Sequence, residues 1–384
     1  MAPSRRKFMF VLLIIGVCGV LVIGIGELGV RLFVKNGFVT PGVLQRRSVQ
    51  YEPAVFARHV FKQEARRVEN LLGSKKGVIW EINEKGYRGP NFEEKKPNGV
   101  IRIIVYGGSA AFDIMMSGED DWPHQVERKL RKAGFPNVEV INAGIMGHTA
   151  LESVGRLLTE GFVFEPDYVV IYNAWNDIKY MTSPRTVLRT LKPSLQKFDP
   201  RIHYHNGVDR WLCETSHLYT ILRRTYYKMS FNIDLEGLLT DDEKTSDAST
   251  LNPTGFEQYR LAMETFVNLA ASIKARPILV TQARLVHASN TSAQKDRIKY
   301  HHVGLTHEAL VKVFDRLDEI VRMVASEKGV LLIDASAQLS GKDWAFHDHV
   351  HFDLEGKGSQ AMAHLIAGHL QDLLAAEQGK QKVR

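Results

Sequence analysis

Cysteine is nearly absent: the 384 residues hold two, Cys18 and Cys213. Two cysteines build no disulfide framework, and with Cys18 inside an apolar N-terminal run a bridge to Cys213 is not expected. Disulfide-stapled classes are excluded, and the redox compartment stays open. The chain also lacks internal repeats and low-complexity tracts, so repeat architectures are excluded. It carries no nucleic-acid motif, and its net charge of +7 comes from scattered residues, so no nucleic-acid partner is expected. An anionic membrane surface or an acidic polymer accounts for the positive excess equally well. Uncharged apolar runs long enough to span a bilayer are missing too, with one exception.

That exception is Phe8–Gly26. As a helix it would extend roughly 28 Å, about one hydrocarbon thickness. Arg5, Arg6 and Lys7 precede it, which places the N-terminus in the cytoplasm and the bulk of the chain outside it. A cleavable signal peptide ending near Gly24-Ile25-Gly26 is the rival, but the run is longer than a usual signal core. Val17 ahead of Cys18 argues against a lipoprotein. The expected order is a cytoplasmic tip over 1–7, a transmembrane helix or signal anchor over 8–26, and a connector with an N-terminal extension over 27–99. Within that extension Glu27–Phe33 continues the helix, with Glu27 and Arg31 at i,i+4. Residues 34–75 are charge-rich without a period. Trp80–Gly89 reads as a short strand and turn.

From residue 100 to 378 strands and helices alternate. The strands are Ile101–Tyr106, Val138–Asn142, Tyr168–Tyr172, Pro277–Thr281 and Val330–Asp334. The helices are Trp122–Ala133, Ala150–Glu160, Phe256–Ala275, Glu308–Lys328 and Gln360–Ala376. Nearly all-apolar strands separated by helices imply an α/β fold with a parallel sheet covered on both faces. Residues 182–250 interrupt the alternation. They hold the basic, aromatic Trp211–Met229 and the polar Thr240–Thr250, and read as a helical insertion covering the sheet edge. The alternative is a lid or membrane-contacting helix using Arg223, Arg224 and Lys228.

The candidate chemistry follows the strands. The first ends at Gly107-Gly108-Ser109, where two glycines permit a tight turn and the serine projects from the sheet's C-terminal edge, the ligand-binding edge of open α/β sheets. Serine catalysis requires a base, a group orienting it, and oxyanion donors. The second strand leads into Asn142–Thr149, whose Gly144 and Gly147 can expose backbone N–H groups. The third leads into Asn173-Ala174-Trp175-Asn176-Asp177, which offers an amide, while Asp177 reads as a partner for nearby backbone. After the fifth comes Asp348-His349-Val350-His351, where an acid three residues before a histidine orients the imidazole from the same turn. His347, His349 and His351 would share one side of an extended strand and could bind a metal, but Asp348 and His351 have a use without one. His301, His302 and His307 read as solvated loop residues.

These four blocks resemble those of the SGNH hydrolase superfamily, the GDSL-type esterases, in its membrane-anchored bacterial branch. Gly108 stands where the namesake motif has aspartate, and Ala174 replaces a glycine in the third block. The resemblance implies a flavodoxin-like three-layer α/β/α fold. It also implies Ser109, His351 and Asp348 as catalytic triad, and the Ser109 and Gly147 N–H groups with the Asn176 amide as oxyanion hole. No metal or organic cofactor is implied. The segment Asn83–Gly89 (NEKGYRG) looks like that of members linked with envelope polysaccharide. The expected activity is extracytoplasmic hydrolysis of short acyl groups, such as acetyl, from a carbohydrate. The protein would sit as a single-pass protein of the inner membrane, its catalytic domain periplasmic or extracellular. An O-acyltransferase modifying an envelope or exopolysaccharide, and a silent glycan-binding or scaffold subunit, are the alternatives. Neither oligomeric state nor acceptor follows from the sequence.

Overall fold

The structure is a computed structural model that describes residues 5–33, 51–54, 56–57, 59–61, 67–70, 78–182, 207–231 and 251–382. The polar stretch Thr240–Thr250 and most of the 34–75 connector lie outside the described residues. Helix α1 (Arg5–Phe33) opens the chain. Two short antiparallel pairs follow, β1 (Tyr51–Pro53) with β2 (His59–Phe61) and β3 (Arg67–Asn70) with β4 (Val78–Glu81). The chain then runs through β5 (Ile101–Gly107), α2 (Ser109–Phe112), α3 (Trp122–Lys132), β6 (Val138–Gly144), α4 (Ala150–Arg156) and β7 (Tyr168–Tyr172). Next come α5 (Gly207–Thr215), α6 (His217–Phe231), α7 (Pro253–Ser272), β8 (Arg276–Val280), α8 (His307–Lys328), β9 (Leu331–Ile333) and α9 (Lys357–Lys382).

The chain divides into two compact units. The larger, Gln50–Phe198 with Leu238–Arg384, holds a five-stranded parallel sheet in the order β6-β5-β7-β8-β9. This is the 2-1-3-4-5 order of flavodoxin-like sheets, in which β5 and β7 flank the point where the winding reverses. Ile103, Ile104, Val105 and Tyr106 of β5 are buried, as is every residue of β7, which is why these strands read as continuous apolar runs. Helices α3 and α9 pack on each other, and α7 packs on α4 and α8, which supplies the helical layers. Gly107 of β5 pairs with Gly144 of β6 and with Tyr172 of β7. The three strands therefore end level, and their following loops emerge side by side.

Helix ends differ from their apolar periodicity by a few residues because polar caps set them. Asn252 accepts the Thr254 N–H ahead of α7, and Thr306 accepts the Ala309 N–H ahead of α8. The expected helix Ala150–Glu160 is regular only to Arg156 and widens into a π-turn over Leu157–Gly161. Arg156 and Glu160 pair there at 2.9 Å, and the guanidinium also lies 4.9 Å from the Tyr87 ring. A buried ion pair of this kind leaves no trace in hydrophobic spacing.

The smaller unit comprises Met1–Val49 and Asp199–Gly237. The described part of the 182–250 insertion, α5 and α6, groups with α1. Glu27 makes the join: it pairs with Arg31 at 2.7 Å, and its other oxygen accepts the Ser216 hydroxyl and the Leu218 N–H, both at 2.8 Å. The Glu27 carboxylate so caps the N-terminus of α6. Cys18 and Cys213 are free thiols. Among the described residues no helix is long and apolar enough to cross a membrane. The side chains at 5–8, 11, 12 and 15 of α1 lie outside the described residues, and the span expected over Phe8–Gly26 is not supported by the described ones.

Candidate active site

The site begins where β5 stops. A Cβ on Gly107 would lie 2.4 Å from the Tyr172 carbonyl oxygen, and one on Gly108 would lie 2.5 Å from Asn176 Nδ2. Only glycine lets the chain pass this close to β7 and turn immediately into α2. Gly108 is extended (φ −86°, ψ −154°), and Ser109 is the first residue of the short helix. Its hydroxyl emerges beside the winding switch between β5 and β7.

The Ser109 hydroxyl oxygen lies 2.7 Å from His351 Nε2, and His351 Nδ1 lies 2.8 Å from Asp348 Oδ2. The second carboxylate oxygen, Oδ1, accepts the N–H groups of Val350 (3.0 Å) and His351 (2.9 Å). The acid is thereby fixed by the same turn whose imidazole it orients. Burial works to raise the Asp348 pKa, but the adjoining His351 ring and backbone N–H outweigh it and hold the carboxyl well below its usual value. Asp348 is ionised at neutral pH. With Oδ2 accepting from Nδ1–H, Nε2 carries the lone pair that faces the serine hydroxyl.

The other candidate donors converge on the same edge. Gly147 has a left-handed backbone (φ +80°) in the turn after β6. Asn176 Nδ2 donates to the His148 carbonyl at 2.9 Å, and Asn173 Nδ2 donates to the same oxygen at 3.1 Å. An amide nitrogen carries two hydrogens, so the contact to His148 orients Asn176 with one N–H to spare for a ligand. Asp177 is buried and accepts the Ala150 N–H at 3.0 Å, as expected of a backbone partner, which fastens the start of α4 to this loop. Trp175 is stacked on Phe314 with ring centroids 6.1 Å apart, and its ring meets that of His349 at 3.9 Å, tilted by 47°.

The remaining histidines have other places. His347-Asp348-His349-Val350-His351 is a series of bends and not a strand, with the His349 and His351 rings edge to face at 5.7 Å. His349 is buried against Trp175, and burial lowers its pKa well below the usual imidazole range, so it is neutral. His307, expected to be solvated, opens α8 half-buried, with its ring 2.9 Å from the Tyr300 hydroxyl and 3.1 Å from the His287 carbonyl. Among the described residues no group of three or more His, Cys, Asp or Glu is arranged to hold a metal ion. A cavity of about 380 Å³ between α3 and the start of α9 contains none of the site residues.

Beneath Ser109 lies a buried ionic cluster that motif reading passed over. Arg88, Asp121 and His124 are each at most 3% exposed. Asp121 pairs with Arg88 at 3.1 Å and with His124 at 2.6 Å, and accepts the Asn142 amide at 3.0 Å. Burial raises the Asp121 pKa, and His124 and Arg88 more than reverse it, bringing it down to about 2. Nearby Asp113, the left-handed residue ending α2 (φ 60°, ψ 65°), is pushed up to about 7 by burial. The available sequence signal was Arg88 between two glycines in Asn83–Gly89, a polar turn too well formed for a linker.

No family model matches the sequence, and no curated protein matches it. Solved structures are similar to it over most of their own lengths. An acetyl xylan esterase, AlAXEase, is 14% identical, with 70% of this chain and 99% of that chain covered at a TM-score of 0.40. A lipase/acylhydrolase from Enterococcus faecalis is 18% identical, with 71% and 96% covered at 0.41. A variant of the acetyl-xylooligosaccharide esterase Axe2 from Geobacillus is 14% identical, with 70% and 93% covered at 0.40.

Proposed function

We propose that this chain is a serine ester hydrolase of the SGNH type, with Ser109 as nucleophile, His351 as general base and Asp348 as its orienting acid. The observation that carries the reading is the continuous Asp348–His351–Ser109 chain of 2.8 and 2.7 Å contacts at the C-terminal edge of a parallel sheet. His351 takes the hydroxyl proton on Nε2 as Ser109 Oγ attacks the ester carbonyl, and ionised Asp348 stabilises the resulting imidazolium. The tetrahedral oxyanion is held by the Ser109 and Gly147 N–H groups and the Asn176 amide. Each such donor lowers the barrier by about 3–4 kcal/mol. The imidazolium returns its proton to the leaving alcohol, and water then attacks the acyl-enzyme by the same route reversed.

The substrate in this reading is a short acyl ester, such as acetyl, on a carbohydrate. Location outside the cytoplasm rests on the uncharged run Phe8–Gly26 behind Arg5, Arg6 and Lys7. The test is turnover of p-nitrophenyl acetate and longer-chain homologues by wild type, Ser109→Ala and His351→Ala. We expect turnover that falls with chain length and is lost in both variants. An inert wild type, or activity persisting in Ser109→Ala, would overturn the reading.

A further inference from the structure

The segment Asn83–Gly89 is absorbed by none of the chemistry above, yet its Arg88 side chain reaches the end of the short helix that Ser109 begins. Arg88 donates to four carbonyls within residues 112–118: Nη1 to those of Phe112 and Asp113 at 2.7 and 2.8 Å, and Nη2 to those of Met116 and Gly118 at 2.6 and 2.9 Å. Phe112 is the last residue of α2, the helix that Ser109 begins, and Asp113 holds the left-handed conformation that terminates it. A non-glycine residue in that conformation persists only where its surroundings fix it. A guanidinium fits because its planar fork serves several carbonyls at once, and its charge favours a helix C-terminus.

The rest of the segment is built to deliver that fork. Asn83 Oδ1 accepts the Lys85 and Tyr87 N–H groups at 2.9 and 3.0 Å, closing the turn. The Arg88 backbone pairs with Asn142, near the C-terminal end of β6. Gly89 has φ +97°, and a Cβ there would meet the His124 ring at 2.3 Å. Asp121 compensates the buried charge at 3.1 Å.

We infer that Arg88 is a positioning residue for the proposed nucleophile: by tying down the C-terminal end of α2 it sets the distance from the Ser109 hydroxyl to His351. The inference rests on the serine-hydrolase reading for its kinetic consequence, though not for its structural one. The experiment compares wild type with Arg88→Lys and Arg88→Ala by steady-state kinetics and by hydrogen exchange across residues 107–118. Lysine keeps the charge and loses the fork, so Arg88→Lys holds the fold while releasing part of the loop.

We expect kcat to fall about 100-fold with KM nearly unchanged, the scale of a small misplacement of reacting groups. Exchange in 107–118 should rise while β7 and β8 stay protected, and added guanidinium should restore part of the Arg88→Ala rate. Unchanged kcat in Arg88→Lys, or exchange rising equally across the whole sheet, would overturn the inference. An inert wild type would remove the Ser109 reading alone, because exchange in 107–118 still decides whether Arg88 holds this segment.

Discussion

His124 Nδ1 lies 2.6 Å from Asp121 Oδ2, repeating across the same three-residue interval the 2.8 Å contact of His351 Nδ1 with Asp348 Oδ2. Each aspartate also accepts the backbone N–H of its histidine, at 3.3 and 2.9 Å. What separates the two pairs is the other ring nitrogen. In His351 it meets the Ser109 hydroxyl, whereas in His124 it abuts the backbone at Gly89. Asp-x-x-His therefore names a local geometry, and its surroundings decide whether that geometry orients a base or balances a buried charge.

The same substitution at the two aspartates should thus be read by different instruments. Asp348→Asn keeps the backbone contacts and removes the charge facing His351, so kcat should fall on the order of 10³–10⁴-fold. Asp121→Asn leaves Arg88 and His124 buried without a counter-charge, which should cost about 3–5 kcal/mol in urea unfolding. If Asp348→Asn instead lowers stability at constant kcat per folded molecule, the roles assigned to the two pairs are wrong.

In the resemblance to GDSL-type esterases, Gly108 stands where the namesake motif has aspartate. A side chain there is incompatible with the present site, because its Cβ would sit 2.5 Å from Asn176 Nδ2 and 3.0 Å from the His148 carbonyl. Gly108→Asp should therefore reduce turnover rather than improve it. Displacing a single oxyanion donor costs about 10²–10³-fold in kcat, which sets the expected scale. Ester turnover at or above wild type in this variant would show that Asn176 moves without penalty and is not part of the oxyanion site.

Asn176→Ala tests the same donor directly. Its amide lies at the site edge, held by the His148 carbonyl at 2.9 Å. Loss of a donor used only in the transition state lowers kcat and leaves KM in place, so a fall of about 10²–10³-fold confined to kcat is expected. A change confined to KM would make Asn176 a substrate contact instead.

The parts legible in the sequence were those whose cause is local. Asp348 and His351 are brought together by one turn, and Ile103–Tyr106 and Tyr168–Tyr172 are buried on both sides, so spacing and composition suffice to find them. Arg88 lies 24 residues from Phe112, its first acceptor, and is joined to it only by folding. Nothing in the spacing of charged residues distinguishes such an arginine from a solvated one. The widened turn at Leu157–Gly161 was hidden for the same reason, since the Arg156–Glu160 pair depends on Tyr87, far away in the chain. An alternating histidine string implies a strand with His349 among the metal candidates, and the bends that bury it against Trp175 are not encoded in that alternation.

Asp113 gives a pH dependence whose sign follows from its surroundings. Burial raises its pKa to about 7, the Ser359 hydroxyl, Arg88 and the Trp122 N–H oppose the rise, and the Asp121 charge adds to it. The unfolded value is about 3.9. A carboxyl with a raised folded pKa favours the protonated fold, so its contribution is complete below about pH 4 and is lost as pH rises to about 7. Asp121 and Asp348, both depressed, change their contributions only at lower pH and leave this window clear. Other buried acids with raised values, Glu160 and Asp318 among them, slope in the same direction, so the wild-type curve alone does not isolate Asp113. Comparison with Asp113→Asn does, because asparagine accepts the same Trp122 N–H, tolerates the left-handed backbone and does not titrate. Urea unfolding across this range should show the variant gaining on wild type with rising pH, by at most about 1.4 kcal/mol per unit. Parallel curves would mean that Asp113 is ionised throughout, held as the carboxylate by Arg88 rather than neutralised by burial.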